Sequence, residues 1–247
     1  MQMGAADMTS SAVDRSQNAY ARLAGFMYLF VDLAYLVGLF ISSRFQVAGN
    51  VMETAHRIVA SEALYRIGLS SLLVGALCTV FLAIGLYGTV QAINNKLALQ
   101  ALVFRVVEAT VFAVVSVLNF AFLQMYVGPG HLNAFDASQL SAILSVRSAA
   151  IIVGFNVAAI FFSMGSILFF YLFLRSTYLP RALSAVGLFG SLLVPIVCFG
   201  SLIAPQAATW LLFGWIPVAF AEIAAGLWLL VKGVAAGGAS EPAPANS

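Results

Sequence analysis

A helix needs about 20 mostly apolar residues to cross a bilayer, and this chain contains six runs of that length. They fall at about Ala19 to Ser42, Tyr65 to Val90, Leu99 to Val127, Ser145 to Leu174, Ala182 to Ile203 and Ala207 to Val231. Their number and length predict an all-α integral membrane protein, a bundle of six transmembrane helices. Soluble domains are about half apolar and about a quarter charged, whereas this chain is 62% hydrophobic and 8% charged. In 247 residues, six spans leave no room for a sizeable soluble domain. Residues 1-18 read as a polar N-terminal tail, 19-234 as the membrane domain, and 235-247, small and Pro-rich, as a disordered tail.

A formal charge of +2 spread over 11 Lys and Arg excludes a nucleic-acid surface. Cys78 and Cys198 lie within apolar runs without paired spacing, so they read as small packing residues and not as a disulfide or metal site. The first apolar run is longer than a signal-peptide core and lacks an A-x-A exit, which predicts a retained first span.

Lys and Arg collect on the cytoplasmic side of membrane proteins. With the N-terminus inside, Arg15, Arg22, Lys96, Arg105, Arg175, Arg181 and Lys232 fall inside, and Arg44, Arg57, Arg66 and Arg147 outside. This 7 to 4 split predicts both termini in the cytoplasm. The two longer connections then lie outside. The first, "NVMETAHRIVASEALYR", pairs Asn50 with Glu53 as a capping box and places Val51, Ala55, Ile58 and Val59 on one face. It predicts a short surface helix over Asn50 to Glu62. The second, "GPGHLNAFDASQ", is turn-rich and aperiodic. Pro205 in "APQA" suits a tight turn between spans five and six.

Several segments have a shared character: "YARLAGFMYL", "ASEALYRIGLSSLLVGALC", "FRVVEAT", "LRSTYLPRALSAVGL" and "AEIAAGLWLLVKGV". Together they resemble the bacterial membrane proteins grouped as domain of unknown function 4386, from about Tyr20 to Val234, most specifically at the turn Tyr178-Leu179-Pro180-Arg181. The resemblance implies the six-span topology and a bacterial inner-membrane location. It implies no catalytic residue.

Charged residues within spans are costly and usually face the bundle interior or a wet cavity. In span three, Arg105, Glu108, Phe112, Ser116 and Asn119 share one helical stripe, and Arg105 with Glu108 can neutralise each other at i, i+3. Asp32 has Tyr28 and Tyr35 on its own face, either of which could donate to it. Glu222 has the small residues Ala219 and Gly226 at i−3 and i+4, a groove that admits a neighbouring helix. Counted along the helices, Glu108, Glu222 and Asp32 lie roughly 14, 14 and 20 Å deep, which allows one cluster. Three acids with Arg105 would be net negative, suited to a proton or cation relay, or would form a polar knot fixing helix register. Asn156 and Ser163 read as interhelical hydrogen-bonding residues. Pro195 and Pro217 can kink their helices. His56 and His131 fall in the outer connections and read as solvated, so neither a metal nor a cofactor is expected.

The candidate buried polar cluster is therefore Asp32, Arg105, Glu108, Asn119, Asn156 and Glu222. No local enzyme signature is present. The first expectation is a non-enzymatic accessory subunit or membrane sensor, with membrane lipids and some membrane protein as its partners. Two alternatives stand beside it: a proton-coupled or small-solute transporter using the buried acids, and an intramembrane enzyme acting on a lipid or isoprenoid. A continuous wet cavity would favour the transporter, a lipid-sized lateral opening the enzyme, and a dry core the accessory role.

Overall fold

The computed structural model describes residues 3–47, 50–128, 136–204 and 212–234. Its helices are α1 (Met3–Ser43), α2 (Val51–Ala60), α3 (Glu62–Val90), α4 (Asn95–Val127), α5 (Ala137–Arg175), α6 (Arg181–Ile203) and α7 (Ile216–Lys232), with a 3-10 turn at Leu212–Trp215 leading into α7. Six stretches are long and apolar enough to cross a membrane: Arg15–Ser43, Glu62–Val90, Asn95–Val127, Ser141–Arg175, Arg181–Ile203 and Phe213–Lys232. The fold class read from the sequence is thus the observed one. The expected turn at Pro205, His131 and the C-terminal tail lie outside the described residues.

The six spans form a closed ring. Each packs along its sequence neighbours, and α7 packs back against α1. At that last joint the backbones touch: a Cβ placed on Gly25 of α1 would lie 2.7 Å from the Gly226 carbonyl oxygen of α7. Only glycine permits such an approach. Gly226 therefore serves the helix contact that the sequence assigned to Ala219 and Gly226 jointly.

The polar stretch ahead of the first span is helical, because α1 begins at Met3. Its end nearest the bundle is tied down. Gln17 Nε2 donates to the Thr89 carbonyl at 2.8 Å and to the Tyr178 hydroxyl at 2.7 Å, and the Val234 amide donates to Asn18 Oδ1 at 3.3 Å. These bonds hold the start of the first span and the end of α7 on the same side of the ring.

The short helix α2 caps the opposite end. Asn50 Oδ1 accepts from the Glu53 amide at 3.0 Å, but the Glu53 carboxylate takes Arg57 Nε at 2.9 Å instead of returning to the Asn50 amide, which donates to the Val47 carbonyl. The expected capping box is half made, because an i, i+4 cation competes for the glutamate. Ala55 and Ile58 are buried with Phe45, Tyr65, Leu69, Leu123 and Tyr126, while Val59 is exposed. The inward face is narrower than the spacing suggested, and His56 is exposed.

Pro217 also differs from expectation. It sits in the first turn of α7, where a missing N–H breaks no helical bond, so it starts the helix and does not kink it.

Candidate functional site

Between α1 and α7, beyond the Gly25–Gly226 contact, lies a cavity of about 320 Å³. Its walls are apolar and aromatic, with Tyr35, Phe112, Phe155, Phe162 and Trp215 among the lining side chains, and its polar groups are Asp32, Arg105, Glu108 and Glu222. At its rim stand Leu36, Leu39 and Ile223, which are 62%, 53% and 43% exposed. These side chains continue the outward apolar faces of α1 and α7, so the cavity opens sideways through the flank of the bundle.

Helix periodicity brings the polar groups here. Arg105, Glu108 and Phe112 occupy one stripe of α4, and all three line the cavity. Arg105 Nε lies 3.2 Å from Glu108 Oε2 and Nη1 lies 4.0 Å from Glu222 Oε1. Neither contact has hydrogen-bond geometry, leaving Glu108 Oε2 and Glu222 Oε1 buried without a hydrogen-bond partner. Arg105 is further held by Nη1 donating to Ser166 Oγ at 3.5 Å and by the Phe162 ring 4.8 Å from its guanidinium carbon. A Cβ at Gly165 would sit 2.8 Å from Arg105 Cγ, so the missing side chain there makes room for the arginine against α5.

Asp32 also lines the cavity, and its Oδ2 has no hydrogen-bond partner. Of the two phenols expected to serve it, Tyr28 lines the cavity as well, whereas the Tyr35 ring packs over Gly75 on α3 and lies 5.3 Å from Phe112. Three carboxyls thus share a largely apolar chamber with one guanidinium. Among the described residues no three of the His, Cys, Asp and Glu side chains converge to hold a metal ion.

Asn119 and Asn156 do not line this cavity. Asn156 Nδ2 donates to the Ile152 carbonyl at 2.9 Å, and Ser163 Oγ to the Ile160 carbonyl at 2.7 Å. Both bond their own helix, the local alternative open to short polar side chains, instead of a neighbour as expected. Asn119 belongs to a second polar centre nearer α2. There Arg147 Nη2 donates to Asn119 Oδ1 at 3.0 Å and to the Tyr65 hydroxyl at 3.2 Å, and Nη1 donates to the Tyr126 hydroxyl at 3.5 Å. Arg147 is 7% exposed. The sequence reading counted it among outer-side charges and missed it as a buried one. The signal was there, because it falls inside the fourth apolar run with no acid at i±3 or i±4.

A family model described as Domain of unknown function (DUF4386) matches residues 23–233. The chain belongs to that family. Comparison with curated proteins and with solved structures gave no match. The turn that most resembles other DUF4386 proteins has a structural role here. Tyr178 accepts from Gln17 through its hydroxyl and from Trp228 Nε1 through its carbonyl at 3.1 Å, and Leu179 is buried. Pro180 then precedes the first residue of α6. One tetrapeptide therefore links α1, α6 and α7, and lies among the core residues Phe169, Phe170 and Phe173.

Proposed function

We propose that this protein binds an amphipathic molecule taken from the bilayer through the gap between α1 and α7, and acts as a membrane sensor or accessory protein. One observation carries the reading: an apolar cavity of about 320 Å³ that is open at the flank and polar at its base. That volume lies at the lower end of small-molecule pockets, roughly 300–1,000 Å³. It suits a head group and the start of a chain, with the remaining chain lying along the apolar outer faces of α1 and α7. A lateral opening also suits the enzyme alternative, but what it supports directly is the ligand class common to both. The separation of Asn119 and Asn156 from the cavity weighs against a polar path through the bundle and so against the transporter.

The proposal extends to topology: a bacterial inner-membrane protein with both termini in the cytoplasm. With the buried Arg105 and Arg147 set aside, six of the other nine Lys and Arg fall on the inner side, and this excess and the docking of Gln17 and Asn18 on the side of Val234 support the arrangement.

Native mass spectrometry of protein extracted with its lipids tests the binding role. A stoichiometric adduct is expected on the wild type and should be lost from Ala219→Trp, whose indole would fill the space beside the exposed Ala219 without disturbing the core. An adduct that survives this substitution, or none on either protein, overturns the reading.

A further inference from the structure

The cavity's charge and its aromatic lining narrow the ligand class. Resting on the bilayer-ligand reading above, the geometry points to a lipophilic organic cation, a molecule with one ammonium-type head on an apolar body, seated between Asp32 and Glu222.

Asp32, Glu108 and Glu222 supply three carboxyls against the single guanidinium of Arg105. Arg105 is committed to Glu108 at 3.2 Å and lies farther from Glu222, at 4.0 Å, so one carboxyl is matched and two are not. Glu222 is 6% exposed, and its Oε1 is buried without a hydrogen-bond partner. Asp32 Oδ2 is in the same condition on the facing helix. Ser166 and the more distant Arg105 serve Glu222 only in part; a buried carboxylate short of partners is disfavoured, and a bound cation would supply what the chain does not.

The rest of the lining fits the same chemistry. Rings attract cations through their faces, and aromatic enclosures are a recurrent way of holding quaternary ammonium groups. Phe112, Phe155, Phe162 and Trp215 form a connected aromatic wall: Phe112 to Phe155 at 5.9 Å, Phe155 to Trp215 at 5.7 Å, and Phe162 to Trp215 at 6.0 Å between centroids. Phe162 already carries one cation, Arg105, at 4.8 Å. An anionic head would add to the excess of negative charge, and a neutral one would leave that excess in place.

Trp215 in the wall provides the readout. Protein reconstituted in uncharged phosphatidylcholine vesicles is titrated with three quenchers of equal chain length: terminally brominated decyl trimethylammonium, decanol and decanoate. Quenching specific to the cavity is the difference between wild type and Trp215→Phe. The cation should quench half-maximally at about one-tenth of the alcohol concentration, corresponding to about 1.4 kcal/mol, and the anion should be weakest. In Asp32→Asn with Glu222→Gln, which keep shape and hydrogen-bonding capacity, the preference for the cation over the alcohol should fall to less than about threefold.

Equal quenching by cation and alcohol in the wild type overturns the cation inference and leaves the bilayer-ligand reading standing. Preference for the anion overturns it in favour of recognition by Arg105. A cation preference that persists in the double variant, checked for folding by its unchanged response to the alcohol, removes the two carboxyls as its cause and overturns it. If none of the three quenches the wild type more than Trp215→Phe, the bilayer-ligand reading fails and the inference fails with it.

Discussion

Arg147 of α5 meets Asn119 of α4 through a 3.0 Å hydrogen bond, and among the described residues the oxygens within reach of the guanidinium are neutral: one amide and the hydroxyls of Tyr65 and Tyr126. A buried charge held only by dipoles depends on every one of them. Asn119→Ala should cost about 1–3 kcal/mol, the cost of depriving a charged group of a partner. Arg147→Met should cost less, since the need to solvate the charge leaves with it. Unfolding in detergent with increasing denaturant gives both values, and a larger loss for Arg147→Met would contradict this account.

At Asp32 the structure predicts tolerance. Its Oδ2 has no hydrogen-bond partner, so Asp32→Leu should leave thermal stability within about 0.5 kcal/mol of wild type or raise it. Arg105→Met should lose about 3–5 kcal/mol, because Glu108 and Glu222 would be left with no counter-charge. The reverse order in a thermal melt would identify Asp32 as a packing residue.

The α1–α7 contact sets a third expectation. Because a Cβ on Gly25 would press on the Gly226 carbonyl oxygen at 2.7 Å and on the Leu230 amide, Gly25→Leu should destabilise by about 1–3 kcal/mol. Cysteines placed at exposed sites flanking the contact should cross-link more slowly in that variant. An unchanged cross-linking rate would show that the helices do not need this approach.

The start of α5 carries a pH-dependent element outside the membrane. The Ser138 hydroxyl and the amides of Gln139 and Ser138 donate to Asp136 Oδ1, holding its carboxyl below the ordinary range. A lowered folded-state pKa means that the stabilisation is complete above the unfolded value, about 3.9, and is lost as pH falls through the folded value. Hydrogen-exchange protection of the first α5 turn should therefore drop in strong acid. Asp136→Asn, which caps without titrating, should remove that dependence, and equal acid sensitivity in both proteins would exclude the cap as its source.

Topology has a direct test. A reporter fused after Val234 should give a cytoplasmic signal, and one inserted beside α2 a signal from the opposite side. A periplasmic signal at the C-terminal fusion would reverse the orientation.

The six spans were legible because length and hydropathy are properties of contiguous sequence, and the α4 stripe was legible because helical spacing decides which residues share a face. The cavity was not. Phe155 and Phe162 reach it through the rotation of α5 about its own axis, and Trp215 through the placing of the 3-10 turn ahead of α7, which packing against other helices sets and no local pattern records. Asn119 was grouped with Glu108 by periodicity alone, yet eleven residues along the helix it meets Arg147 of another element. Glu53 and Pro217 were misassigned for a local reason, since each has two competing roles and the neighbouring Arg57 and the late start of α7 decide between them.

The ring has one further implication, for biogenesis. Five of its six joints unite helices consecutive among the spans, so each can form as soon as two neighbours are in the bilayer, through contacts of low sequence separation. The joint of α1 with α7 must wait until α7, the last of the six spans, has been made, and no connection between consecutive spans crosses it. The chamber is therefore complete only once α7 is in place, and its mouth lies along the one seam of the ring that can part without pulling a connection between consecutive spans taut.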